Sequence, residues 1–370
     1  MEKNHNIDII RAVALLLVLI YHFWVKMNIG TISIKIIEDI VMLGGEVGVT
    51  AFFLLSGYGI YYSLQHLEKD NNLSFKVFMK RRIERIIPQY YLNLIVVLLF
   101  TGSAVYLDKS HLWDILLHFA LLHNVCINFA GTINGVLWTM AVIFQFYLIA
   151  IPLYKALNKW GYSCIWTSII ITILCKIGCF HIVINLIAQE ENYMIYAFWL
   201  GRNLLCSVLD NFVIGMGIAF FIENNKKKFK KPNPLIGCMG AILLLGLFCR
   251  LGRKYGIHTD NVSGYLWHSG IAICIGLIIL FSYYIRCKHK NILSKILLFL
   301  SKYEYGIYLW HLIMIDNLIL NAPIIKRLIL EKYYILVGII WFILSVVIGV
   351  IFTKLTDKKN IRFWFCRLND

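Results

Sequence analysis

The chain has 370 residues and a formal charge of +16, and 60% of its residues are hydrophobic against 15% charged, with a mean hydropathy of +0.73. So few polar groups cannot cover the surface of a soluble protein of this size, which excludes a soluble enzyme, a disordered chain and a collagen-like fibre. What remains is an all-α polytopic transmembrane helix bundle. The positive charges sit in short clusters between apolar runs, as orienting loops do, so the basic balance does not point to nucleic acid.

A spanning helix needs about 20 mostly apolar residues, and about ten stretches meet that criterion. They lie near 7–27, 40–64, 86–105, 135–155, 163–181, 206–222, 235–249, 265–285, 296–320 and 334–353. Segment 113–129 is apolar but interrupted by His118, His123 and Asn124, and reads as re-entrant or interfacial. The first stretch follows Lys3 and has no small-residue cleavage pattern behind it, so it reads as a retained helix. With the N-terminus in the cytoplasm, about 23 Lys and Arg fall on the cytoplasmic side and about 9 outside, a bias that sets orientation and returns the C-terminus to the cytoplasm. The lysine run 226–231 is then an orienting loop. No connection is long enough for an independent core, so the expectation is a single membrane domain over 1–370 with no appended soluble domain. The ten cysteines lie mostly within apolar stretches, without CxxC or metal-ligand spacing, and read as reduced structural thiols; no metal is expected.

Ionisable groups inside lipid are costly, so each is a candidate for function. The first stretch carries Asp8, Arg11 and His22. Asp8 and Arg11, three apart, can pair on one helical face. Arg11 and His22 are eleven apart, about three turns plus 20°, so they project the same way about 16 Å apart along the axis. The bland alternative is an interface ion pair and a buried histidine. Glu46, in the glycine-rich start of the second stretch, lies near the outer rim, where it is solvated or faces His22. Ser56 either bonds its own helix or lines a pocket. Arg82 and Arg85 are i, i+3 with Arg81 beside them, ahead of Pro88 and Tyr90. They serve as a positive-inside anchor or, since guanidinium forks match phosphate oxygens, as a phosphate clamp. Lys176 falls mid-span and reads as snorkelling. Trp138 and Gln145 lie in the fourth stretch, and His311 in the ninth is a second intramembrane imidazole.

These residues fall into an ordered pattern. Asp8, Arg11 and His22, then Phe53, Ser56, Gly57 and Tyr58, then Arg82, Arg85, Pro88 and Tyr90 stand in that sequence. Trp138 and Tyr147 follow, then Phe212, Gly215 and Met216, and finally Tyr305, Gly306, Tyr308, Leu309, Trp310 and His311. In this order they resemble the motifs of the acyltransferase-3 family, membrane-bound acyltransferases that mostly O-acylate carbohydrates. Two features depart from that pattern. The glutamate common in the fourth-span motif falls on Ile143, with Gln145 nearby on another face, and the carboxyl-terminal esterase-like domain of some members is not expected here.

The resemblance implies an acyl-CoA donor, usually acetyl-CoA, a carbohydrate or lipid-linked glycan hydroxyl as acceptor, and a place in the bacterial cytoplasmic membrane. On that reading Arg82, Arg85 and Arg81 hold the donor. His22 is general base or transient acyl acceptor, with Arg11 and Asp8 beside it, and Glu46, Ser56, Trp138 and His311 are candidates for the substrate pocket. A polysaccharide exporter or flippase, or a structural partner in envelope assembly, are the alternatives. An exporter needs a continuous polar path, which the few intramembrane charges do not supply.

Overall fold

In the computed structural model the described residues are 4–27, 35–101, 106, 108–184, 193–225, 233–259, 261–285, 291–319, 323–330 and 333–357. Among them the structure is helical throughout, with no strand. The long helices are α1 (His5–Met27), α2 (Lys35–Lys69) and α3 (Phe75–Val96), the short α4 (Leu112–Phe119), then α5 (Leu137–Trp160), α6 (Ser163–Gly178) and α7 (Tyr193–Arg202). They are followed by α8 (Leu209–Asn225), α9 (Pro234–Tyr255), α10 (Val262–Tyr284), α11 (Ile292–Lys302), α12 (Glu304–Ile313), α13 (Pro323–Leu330) and α14 (Tyr334–Leu355). The lysine run 226–231 lies outside the described residues.

Nine helices among the described residues are long and apolar enough to cross a membrane, which makes this a multi-pass membrane protein. The predicted span 296–320 is absent from the nine. There the chain breaks at Tyr303, which caps both α11 and α12, and continues beyond α12 as a π-helical turn, Met314–Ile319. Segment 113–129 forms α4 and a 3-10 turn, His123–Val125, both too short to cross, with Asp114, His118, His123 and Asn124 buried.

The lipid-facing surface is written as helical ridges. On α14, Ile335, Ile339, Ile343, Val347 and Ile351 are exposed, while the opposite ridge, Val337, Trp341, Ser345 and Gly349, is buried. In water the first set would be an aggregation patch; against acyl chains it is the expected surface. Since lipid is as apolar as leucine, helix association depends on close packing, which small residues permit. α2 is the central helix, packed on α1, α8 and α10. Its crossing with α8 is reciprocal. A Cβ on Gly57 would collide with the Phe212 carbonyl oxygen, and one on Gly215 with the Leu54 carbonyl oxygen. The α1 crossing uses Gly48 against the Ala14 carbonyl in the same way.

Candidate active site

A cavity of about 660 Å³, within the usual range for small-molecule sites, opens at the end of the bundle that carries the start of α1 and the 70–74 connection. Its rim is basic and polar: His66 and Lys69 from α2, Arg82 and Arg85 from α3, and Lys302 from α11. Deeper, Arg11, Ser56, Glu304 and Tyr147 line the walls, and the inner end is formed by Phe52, Thr139, Met140 and Tyr308. Ser74 starts α3 as its N-cap, accepting from the Val77 amide at 3.3 Å. That fixes the turn from which the arginines project one helical turn apart.

The arginines are held in different ways. Arg82 lies over aromatic faces, its Cζ 5.2 Å from the Phe78 ring centre and 5.8 Å from that of Tyr147. Its Nε has no hydrogen-bond partner, and among the described residues no carboxylate pairs with Arg82 or Arg85. Arg11 is paired: its Nη1 is 3.5 Å from Asp8 Oδ1 and its Nε 3.6 Å from Glu304 Oε2. The Asp8 pairing follows the spacing on α1, whereas Glu304 arrives from α12. Arg81 is exposed and outside the cavity lining.

Beyond the inner end lie two imidazoles. His22 Nδ1 is 3.1 Å from His311 Nε2 and 3.0 Å from the Val18 carbonyl oxygen. His311 Nδ1 donates to the Tyr308 carbonyl at 2.6 Å, which leaves His311 Nε2 as an acceptor. His22 Nδ1 therefore carries the proton, and its lone pair sits on Nε2, the orientation a general base requires. α12 is locked in register behind this pair. Asn93 and Asn134 both donate to the Leu309 carbonyl, at 3.1 and 2.9 Å, and Trp341 Nε1 donates to the His311 carbonyl at 2.9 Å. Neither imidazole lines the cavity. Tyr308 joins the two regions: its hydroxyl meets Thr139 Oγ1 at 3.0 Å in the cavity wall, and its carbonyl holds His311.

Of the residues singled out from sequence, Arg11, Arg82, Arg85 and Ser56 thus share one cavity, as does Ile143. His22 and His311 meet each other. Glu46 and Trp138 belong elsewhere. Glu46 is neither solvated nor facing His22; it is buried against Arg202, His258 and His268. Arg202 also stands over Trp138, Cζ to ring centre 4.5 Å. Lys176 does not snorkel: it is fully buried, with Nζ 3.3 Å from His268 Nδ1. Gln145 exchanges hydrogen bonds with Asn124, away from the cavity. Sequence reasoning treated Arg202 as an orienting charge and passed over His258 and His268. The available signal was Glu46 and Lys176 inside apolar helices, since buried opposite charges require partners.

Glu46, His258 and His268 each bring one potential metal-ligand atom within 4.8 Å of the others. The proton on His268 does not suit a metal there. The Lys176 ammonium donates to His268 Nδ1, which places the ring proton on Nε2, facing Glu46 Oε2 at 3.2 Å. Arg202 and Lys176 already supply cationic charge on either side.

The sequence matches the acyltransferase-3 family, described as an acyltransferase domain, over residues 4–356. The chain belongs to this family of acyltransferases. The ORF330 protein of Acidianus two-tailed virus is 27% identical over 317 residues, 85% of this chain and 84% of its own length. The peptidoglycan O-acetyltransferase OatA of Listeria monocytogenes is 25% identical over 87% of this chain and 50% of its own. The O-acetyltransferase OatA of Staphylococcus aureus is 25% identical over 83% and 49%. The chain thus spans about half the length of the two OatA proteins. No solved structure shows a matching likeness.

Proposed function

We propose that this protein is a membrane O-acetyltransferase that moves an acetyl group from acetyl-CoA to a hydroxyl of a cell-envelope carbohydrate. The observation that carries the reading is the arginine-rimmed cavity, whose inner wall, at Tyr308, adjoins a histidine pair with its free lone pair on His22 Nε2. Among the described residues Arg82 and Arg85 have no carboxylate partner, and a guanidinium in that condition on a cavity rim suits phosphate oxygens. Arg11, held by Asp8 and Glu304, adds a fixed positive charge farther in. The pantetheine arm would lie along the cavity and bring the thioester to Tyr308 and Thr139.

In the transfer step the acceptor oxygen bonds to the thioester carbonyl carbon while its proton passes to His22 Nε2. The carbonyl electrons move onto oxygen and return as the carbon–sulfur bond breaks. The CoA thiolate leaves and takes up the proton. General-base action of this kind contributes about 10² to 10⁴ in rate.

The charge bias of the loops supports ten crossings in a bacterial cytoplasmic membrane with both termini inside, α12 and its continuation making the ninth. The donor is then reached from the cytoplasm and the acceptor from the other side. Mixing purified protein with acetyl-labelled acetyl-CoA and envelope glycan fragments tests the reading directly. Label should pass to the glycan with release of CoA, and absence of both would reject it.

A further inference from the structure

The densest set of buried charges lies outside the cavity. Arg202, at the end of α7, bonds Glu46 Oε1 from α2, and His268 Nε2 from α10 reaches Glu46 Oε2 at 3.2 Å. His258, in the α9–α10 connection, lies 3.4 Å from Glu46 Oε1. The chain continues through His268 Nδ1 to Lys176 of α6 at 3.3 Å, and the Lys176 charge is felt by Asp210 of α8, which accepts from Ser269. Two cations and two carboxylates balance in a site where apolar residues would pack at least as stably. What the train achieves is to hold one guanidinium rigidly, clamped by a carboxylate below and stacked on Trp138 at 4.5 Å.

The position of that guanidinium is specific. Gly45, next to Glu46, lies against the Tyr21 ring, whose centre is 5.1 Å from that of His22, so the clamp that holds Arg202 abuts the histidine pair. Trp138, on which the guanidinium rests, precedes Thr139, whose hydroxyl meets Tyr308 at the inner end of the cavity.

We propose that Arg202 is the electrophilic group of the transfer step, stabilising the oxyanion that forms on the acetyl carbonyl, and that Glu46 is its positioning residue. The proposal rests on the acetyl-transfer reading. As the acceptor oxygen adds to the carbonyl carbon and its proton moves to His22, negative charge collects on the former carbonyl oxygen. A preorganised cation in a dry site lowers the barrier at that point. Collapse returns the electron pair to carbon and expels the CoA thiolate. The nearly neutral train behind Arg202 keeps the guanidinium charged and fixed without adding net charge beside the base.

The test uses the full chain in lipid nanodiscs with acetyl-CoA and the glycan acceptor. Arg202→Gln is expected to lower kcat by about 10² to 10³, the usual loss for one oxyanion-stabilising group. CoA affinity and the KM for acetyl-CoA should stay within about twofold. Arg202→Lys, which keeps the charge but loses the fork, should recover part of kcat, and Glu46→Gln should lose about tenfold in kcat through misplacement of Arg202.

Replacing the carbonyl oxygen of the donor by sulfur gives a readout that a purely structural role would not move. The wild type should be slowed strongly by this change, and Arg202→Gln much less. An unchanged kcat in Arg202→Gln overturns the proposal, as does equal sensitivity of both proteins to the sulfur donor, or a rise in acceptor KM alone. If Arg202→Gln does not fold, Arg202→Lys answers through the same donor comparison. Failure of the underlying reading is distinguishable, because then the wild type itself transfers no acetyl group.

Discussion

The two ends of the bundle handle positive charge in opposite ways. At the cavity end, Arg82 and Arg85 stand on the rim with no carboxylate ion pair among the described residues, Arg82 over aromatic faces and both lining the cavity. At the other end the arginines are answered from within the chain: Arg202 by Glu46, Arg250 and Arg253 by Asp39, and Arg253 also by Glu38. A residue count treats the two sets alike. The structure separates charges that await an anion from charges already neutralised by the fold. On the proposed reading the cavity end is where the donor binds, since an uncompensated guanidinium on a cavity wall is where an external anion gains most.

The largest expected effect breaks the link between the two ends. His22→Ala removes an imidazole whose Nδ1 is taken up by His311 and the Val18 carbonyl and whose lone pair is on Nε2. Acetyl transfer should fall by about 10² to 10⁴, the worth of a general base. CoA binding and membrane insertion should be retained, as read by calorimetry and by the yield of folded protein. Retention of full transfer would remove the histidine pair from the mechanism.

The cavity end responds differently. Arg82→Ala with Arg85→Ala should raise the KM for acetyl-CoA about tenfold or more, equivalent to about 1.4 kcal/mol or above, with a smaller change in kcat. CoA titrations of the double variant and of His22→Ala check this, since only the first should lose affinity. Equal affinity in both would mean that the rim charges orient the protein and do nothing else.

His311→Gln sharpens the comparison at its junction. The histidine accepts from His22 and is anchored by the Tyr308 carbonyl. A glutamine amide can keep one of these bonds but not the ring geometry. A loss of about tenfold in kcat, with KM nearly unchanged, is expected of a residue that orients a base. Steady-state kinetics beside the wild type would show it.

How much of this could be read from the chain depends on distance along it. Local pairs, Asp8 with Arg11 and Arg82 with Arg85, were legible because their members lie about one turn apart on one helix, whereas the expected common face of Arg11 and His22 puts only Arg11 in the cavity lining. The histidine pair was half legible. His311 stood out as an imidazole in an apolar run, but its contact with His22 spans 289 positions, and no periodicity encodes that. Glu46 was misread for the same reason: its partners come from α7, the α9–α10 connection and α10, and only the packing of α2 at the centre brings them together. The ninth stretch reads as one continuous span because hydropathy averages over Tyr303 and Glu304, where α11 gives way to α12. The family glutamate position taken by Ile143 lies in the cavity wall.

The smallest effect tests whether charge compensation away from the cavity has any bearing on catalysis. Asp39 is itself mostly buried, with Oδ2 3.1 Å from Arg250 Nη1 and Oδ1 3.2 Å from Arg253 Nε, but Arg250 is 60% and Arg253 36% exposed. Pairs of that exposure are screened by water and salt and contribute about 0 to 1 kcal/mol. Asp39→Asn preserves shape and one acceptor oxygen while removing the charge, so thermal unfolding should shift by no more than this, and less in high salt. Transfer rate and CoA affinity should match the wild type, because α9 meets the bundle here through α2 and α10, far from the arginine rim. A marked loss of activity in Asp39→Asn, at unchanged thermal stability, would mean that compensated arginines at this end act on the chemistry as a group. The boundary drawn between the two ends would then have to move from the arginine rim to include α9.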